Sequence, residues 1–213
     1  MEKIVIATTN NNKVKRLKML LKDLNYKILS LADFEKNIEE PNETADTPVG
    51  IAIEKALHYV NYLPENIMVL SQDDTIEFEN VEEEDNPGVH IKAPVIKKYG
   101  KFTDQNAAEY YKNLAQKYGG SIPMSFKYGH AISIKRNGKR VITKVVGAES
   151  ELKVRLVNRI NKLETVPGYF LAALMEAKVN GKWIPYNDLN EDELVKLDID
   201  LYDSITTLLK NIK

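Results

Sequence analysis

The stretch IVIATTNNNKVKRLKMLL, residues 4 to 21, decides how the chain begins. Its first part is β-branched and apolar, and Lys3 to Thr8 reads as a buried strand. Three asparagines, Asn10 to Asn12, break that run. From Lys13 to Leu24 the period changes, and Val14, Leu17, Leu20 and Leu21 fall on one helical face. Tyr26 to Leu31 reads as a second strand, so the chain opens as a β-α-β unit. A strand that turns into a helix through small polar residues presents free N–H groups, and the helix dipole favours an anion beside them. Thr8, Thr9 and Asn10 add short polar side chains, and Lys13, one turn in, adds a full positive charge. The glycines of GxxxxGK[ST] and GxGxxG are missing. The competing reading is a polar turn with an asparagine N-cap.

Outward from this corner, Thr47 to Leu63 reads as a helix with Pro48 in its first turn and Ile51, Ala52, Ala56 and Val60 on its apolar side. Ile67 to Ser71 and Thr75 to Phe78 read as strands joined by a tight acidic corner. Asp104 is the expected N-cap of a helix running to about Tyr118. In the second half, Phe126 to Lys135 and Lys139 to Val146 flank Asn137-Gly138, a hairpin signal. Leu174 to Val179 and Lys182 to Tyr186 flank Asn180-Gly181 in the same way. Acidic helical segments follow near Glu191 to Leu197 and Leu201 to Ile212. No repeat or linker divides the 213 residues, and the pattern predicts a single α/β domain with a mixed sheet and packed helices.

Composition narrows the function. A net charge of -1 gives no global field toward a nucleic-acid polymer or an anionic membrane, so an anion site must be built locally. With no cysteine, disulfides, zinc–thiolate sites and thiol catalysis are excluded. The opening MEKIVIATT is too short an apolar run for a signal peptide, and YFLAALM falls far short of the roughly 20 residues of a spanning helix. The expectation is a soluble cytoplasmic protein.

Two further stretches carry chemistry. In SQDDTIEF, residues 71 to 78, Asp73 and Asp74 sit between apolar runs. Adjacent like charges near a core need a cationic partner, and Mg²⁺, a hard ion that prefers carboxylate oxygens, is one. The alternative is a solvated acidic turn. In NETADTPVGIAIEKA, residues 42 to 56, Glu43 precedes the helix and Lys55 lies two turns inside it. Glu43 is placed to complete a metal site with Asp74, and Lys55 to reach a phosphate; a surface glutamate and a snorkelling lysine are the bland alternatives. His58 reads as structural or exposed, His130 as a satisfied, partly buried strand histidine, His90 as a loop residue more often than a substrate contact, and Glu82 to Asp85 as a solvated loop. Trp183 reads as hairpin packing, and Tyr169 and Phe170 as either core or base-stacking residues.

At these residues the sequence resembles the inosine/xanthosine triphosphate pyrophosphatase family. The family's A-T-x-N-x-x-K corner matches Ala7, Thr8, Asn10 and Lys13, and its E-T-x-x-T stretch and K-A helix end match Glu43, Thr44, Thr47, Lys55 and Ala56. Its acidic corner matches Asp73, Asp74 and Thr75, its P-G element with a following basic residue matches Pro87, Gly88 and Lys92, and TDQNAAEYYKNL resembles the next helix. The likeness runs over about residues 3 to 146. Departures are Thr9 in place of glycine, Arg16 in place of glutamate, Gly50-Ile51-Ala52 in place of E-N-A, and Ile76 in place of glycine. The F-G-Y-D-P base segment is reduced to Gly168-Tyr169-Phe170, and S-H-R is absent near VKLDIDLYDS.

The resemblance implies a two-lobed α/β fold, a long central mixed sheet flanked by helices, an active-site cleft between lobes, and a homodimer. It implies Mg²⁺-dependent hydrolysis of a nucleoside triphosphate, with a deaminated purine (ITP, dITP, XTP) as base, to monophosphate and pyrophosphate. Thr8, Asn10, Thr75, Lys13, Lys55 and Lys92 would hold the substrate, and Glu43 and Asp74 the metal. Asp73 or Asp74 would activate water, and Lys13 would meet developing charge. Two other readings stand beside it: a non-catalytic nucleotide-binding regulator, and a pyrophosphatase for a pyrimidine or modified nucleotide.

Overall fold

The computed structural model describes residues 1–34, 38–149 and 154–210. Its first strands and helices are β1 (Glu2–Ile6), α1 (Asn11–Leu21), β2 (Tyr26–Ser30), α2 (Pro48–Tyr59), β3 (Met68–Phe78), α3 (Ala93–Tyr99) and α4 (Asp104–Lys117). After them come β4 (Ser121–Arg136), β5 (Lys139–Glu149), β6 (Val154–Val157), β7 (Met175–Val179), β8 (Lys182–Pro185), α5 (Glu191–Leu197) and α6 (Ile199–Lys210). The described strands form a mixed sheet in the order β2-β1-β3-β4-β6-β7-β8, with β5 paired to β4. Two compact units emerge: Met1–Thr75 with Lys127–Glu149 and Asp198–Lys213, and Ile76–Phe126 with Ser150–Leu197.

In the first unit β1 pairs in parallel with both β2 and β3. The crossover from β1 through α1 to β2 runs one way, and that from β2 through α2 to β3 runs back. Both must be right-handed, so α1 and α2 lie on opposite faces of the sheet. Strand alternation agrees. Val5, Ala7 and Val69 pack with Tyr59 and Val60 of α2. On the same face Ser71 Oγ donates to the Ala52 carbonyl at 2.5 Å, and Ser133 Oγ to that of Ala56 at 2.7 Å. These hydroxyls use carbonyls of a helix seated close on the sheet. Ala52 and Ala56 of α2 meet Ala131 of β4 in a small-residue contact. At Gly129 a Cβ would stand only 2.2 Å from the Pro48 carbonyl carbon, so the helix start needs glycine beneath it.

The second unit packs α4 on an aromatic core. Tyr111 stacks on Phe170 with centroids 5.5 Å apart, and Phe78 and Phe102 meet these rings edge-on. Phe170 is therefore a core residue and not a free platform for a base. Tyr169 meets Tyr186 edge-on. The Arg155 guanidinium lies 4.2 Å from the Trp183 ring centroid, which fixes the tryptophan on its hairpin.

Several expected boundaries shift. β3 is one uninterrupted strand, where two strands and an acidic turn were expected. Lysines supply the compensation that a solvated turn would have supplied (below). Thr103, not Asp104, caps α4, because the Thr103 hydroxyl accepts from Asn106 N. Asp104 instead accepts from Gly168 N at 2.6 Å. The loop glutamates of 82–84 end at Asp85, whose carboxylate takes Lys117 and the Tyr118 hydroxyl and so is not a solvated group. Helix α3 carried no sequence signal. Ile212 lies outside the described residues. Both Asn-Gly hairpins form, with φ 51° and 73° at Asn137-Gly138 and 49° and 81° at Asn180-Gly181, the left-handed pair that such turns demand.

Gly129→Ala should lower stability by about 1–3 kcal/mol or more through forced displacement of the α2 start. Urea unfolding measures it, and an unchanged midpoint would show that α2 can move aside freely.

Candidate active site

The site begins where β1 stops. Ile6 pairs with Leu70, and Ala7 N donates to Leu70 O at 2.8 Å. Beyond that level β3 runs on without β1 beside it. The room is filled by residues Thr8 to Asn10 and the start of α1. In an α/β sheet this is the reversal point, where one strand's connection leaves in the opposite direction from its neighbour's, and ligands bind at such points.

Asn10 is the N-cap of α1. Its side-chain oxygen accepts from Asn12 N at 2.9 Å and Lys13 N at 3.3 Å. The Thr8 hydroxyl accepts from Asn10 N at 3.2 Å, and Thr9 donates to Glu40. The corner is thus less bare than expected, since its own side chains already satisfy much of its N–H array. What it does is fix Lys13 in direction.

Lys13 Nζ lies 2.5 Å from Asp74 Oδ1 and 3.4 Å from Asp73 Oδ1. Lys55 Nζ, from α2 on the other face, lies 2.7 Å from Asp73 Oδ1 and 2.9 Å from Glu43 Oε1. Two ammonium groups therefore bridge three carboxylates. Burial alone would lower the Lys13 pKa, but the charges of Asp74 and Asp73 outweigh it and hold it above the ordinary lysine value. Burial alone would raise Asp74, but Lys13 with its hydrogen bond, then Arg16 and Lys55, hold it below the ordinary range. At neutral pH both are charged.

Glu43 owes its place to its neighbour. Glu54 of α2 accepts from Thr44 N at 2.9 Å and from the Thr44 hydroxyl at 2.5 Å. The loop lies close on the helix, and a Cβ on Gly50 would come within 2.6 Å of Ala45 Cβ. This explains sterically why glycine stands at position 50.

Thr75 is buried, and its hydroxyl has no partner among the described residues. Lys92 belongs to the second unit, where its ammonium lies 5.5 Å from the Phe102 ring centroid. A hollow of about 430 Å³ lined by Met1, Lys3, Phe34 and Asn66 lies at the opposite, N-terminal ends of β1 and β3, so it does not contain the charged cluster.

The α1 face of the sheet carries a second polar group that the sequence did not disclose. Arg16, one turn beyond Lys13, pairs with Asp198 through two guanidinium nitrogens, Nη2 and Nε, the latter at 2.7 Å. Asp198 is buried, and the guanidinium also lies over the Tyr128 ring. Arg16 was visible in the sequence only as a departure. Its partner stands 182 positions away, and nothing local marks that pairing. Beside it His130 is fully buried, with Nδ1 3.4 Å from Ser204 Oγ and Nε2 without a partner among the described residues. The Gln72 carboxamide is also buried, with neither polar atom bonded among the described residues.

Glu43, Asp73 and Asp74 offer hard oxygens of the kind Mg²⁺ takes. Among the described residues no three acidic or histidine side chains are already grouped to hold a metal. The donor chemistry fits; the lysines stand between the donors.

The model of the Ham1 family matches residues 4–146, and the chain belongs to that family. A curated relative, the dITP/XTP pyrophosphatase of Clostridium tetani, is 36% identical over 74 residues, covering 34% of this chain and 36% of the relative. The match thus spans about a third of that relative's length. A HAM1 protein from Coxiella burnetii superposes with a TM-score of 0.63 at 19% identity over 99% of each chain. The Staphylococcus aureus Ham1 protein gives 0.61 at 17% over 100% of each. At such identities the likeness establishes the fold, the long mixed sheet flanked by helices.

Burial pushes His130 down to a pKa of about 3, with a smaller opposing pull from Asp74. An unfolded histidine titrates near about 6.5, so as pH falls below that value the unfolded state gains a proton the fold refuses. The stability present above about pH 6.5 is therefore lost progressively down toward about pH 3. Between pH 7.5 and 5, His130→Phe should lose about 2 kcal/mol less than the parent in urea titrations. Equal losses would contradict a neutral buried His130.

Proposed function

We propose that the chain hydrolyses a nucleoside triphosphate to the monophosphate and pyrophosphate, with Mg²⁺, and that deaminated purines of the ITP, dITP or XTP kind are its substrates. The observation that carries this is the meeting of Lys13 and Lys55 with Glu43, Asp73 and Asp74 at the end of β1. Membership of the Ham1 family and likeness to the dITP/XTP pyrophosphatase of Clostridium tetani support the substrate class.

In this reading Lys13 and Lys55 turn to the polyphosphate, whose charge they neutralise as it shifts in the transition state. Thr8 and Asn10 hold the start of α1, and through it the aim of Lys13. Thr75 offers a hydroxyl that has no partner among the described residues. Glu43 and Asp74 are the residues that would hold Mg²⁺, which lends Lewis acidity at a phosphoryl oxygen. With both lysines turned to the polyphosphate, Asp73 or Asp74 orients and deprotonates the attacking water. The enzyme acts as a homodimer in the cytoplasm on free nucleotide; no described helix is long and apolar enough to cross a membrane.

Pyrophosphate release across ITP, dITP, XTP, dUTP and the standard triphosphates tests the substrate. Asp74→Asn tests the site: turnover should fall by a factor on the order of 100 or more with the thermal midpoint near the parent's. Near-normal turnover in that variant would remove Asp74 from the chemistry. Binding of nucleotide without release by the parent would favour the regulatory reading.

A further inference from the structure

We propose that Lys13 and Lys55 are exchangeable counter-ions that keep the acidic cluster closed to a divalent cation until a polyphosphate draws them away. The site would then take the cation and the polyphosphate together, as a chelate, and neither one well alone. This rests on the reading above and specifies the form of substrate the site accepts.

Three carboxylates face two ammoniums, and each carboxylate is contacted by at least one of them. A divalent cation arriving alone meets two positive charges already seated on its donors, and at a few ångströms that repulsion is large in a part-buried site. A polyphosphate arriving alone meets Glu43, Asp73 and Asp74. When both arrive, the lysines gain anionic oxygens and the released carboxylates gain the cation. Every charge is then paired again.

The geometry permits the exchange without moving the fold. Both lysines have long flexible stems. Their helices are fixed by caps: Asn10 on α1 and Thr47, which accepts from Gly50 N at 3.1 Å, on α2. Water reaches the cluster, with the Lys13 and Asp74 side chains each 21% exposed and Glu43 42%. Arg16 stays behind, because Asp198 holds it through two nitrogens.

Equilibrium dialysis tests this with Mn²⁺ as the cation and methylenediphosphonate, which resists hydrolysis, as the anion. Protein-bound Mn²⁺ is measured for the parent protein, Lys13→Met and Lys55→Met, with and without the diphosphonate. The parent should bind Mn²⁺ weakly alone and at least about tenfold more tightly with diphosphonate present. Either lysine variant should bind Mn²⁺ alone about tenfold more tightly than the parent, and gain less from the anion. Should the methionine variants fail to fold, Lys13→Gln and the parent's own two-condition comparison still decide the matter. Equally tight Mn²⁺ binding by the parent in both conditions would overturn the exchange while leaving the metal site standing. No retained Mn²⁺ in any condition would overturn both the exchange and the metal part of the functional reading.

Discussion

Asp73 and Asp74 lie inside a strand, and a strand interior tolerates paired carboxylates only if cations reach them. That requirement organises the first unit. Lys13 comes from α1 on one face of the sheet and Lys55 from α2 on the other, and both converge on Asp73 Oδ1. Each helix must therefore start at a fixed point. Asn10 sets one start, and Thr47 with Pro48 sets the other. Gly129 and Gly50 clear the space that α2 and its preceding loop need.

The same arrangement explains why the site has a direction. β1 ends opposite Leu70, and β3 continues past it carrying its acids. The charged groups thus lie at the strand end where the backbone turns away. They are neutralised by one another in the resting protein, and the groups that neutralise them are the ones a polyphosphate and a hard cation would separate. The neighbouring Arg16–Asp198 pair, with Tyr128 and His130, adds a rigid polar wall on the α1 face.

Much of the fold was legible because it was local. The period change after Asn12, Pro48 after Thr47, and the two Asn-Gly pairs each mark a boundary by their own backbone chemistry. Glu43, Lys13, Lys55, Asp73 and Asp74 were legible as a set, and the structure brings all five together. What the sequence concealed was relational. An acidic pair suggested a solvated turn, because the lysines that let β3 run straight come from 60 and 18 positions away. The asparagine corner suggested open N–H groups, where its side chains turn inward to cap. Phe170 looked like a possible base platform until Tyr111 was found stacked on it. Asp198 had no signal at all.

In the proposed function this charged cluster cleaves a triphosphate at one particular bond, between its α- and β-phosphates. Phosphorus NMR of the products from XTP or dITP, with Mg²⁺ and the intact protein, tests it most directly. The account predicts equal amounts of nucleoside monophosphate and pyrophosphate from the first turnover. Orthophosphate with nucleoside diphosphate, or no cleavage of any triphosphate, would contradict it.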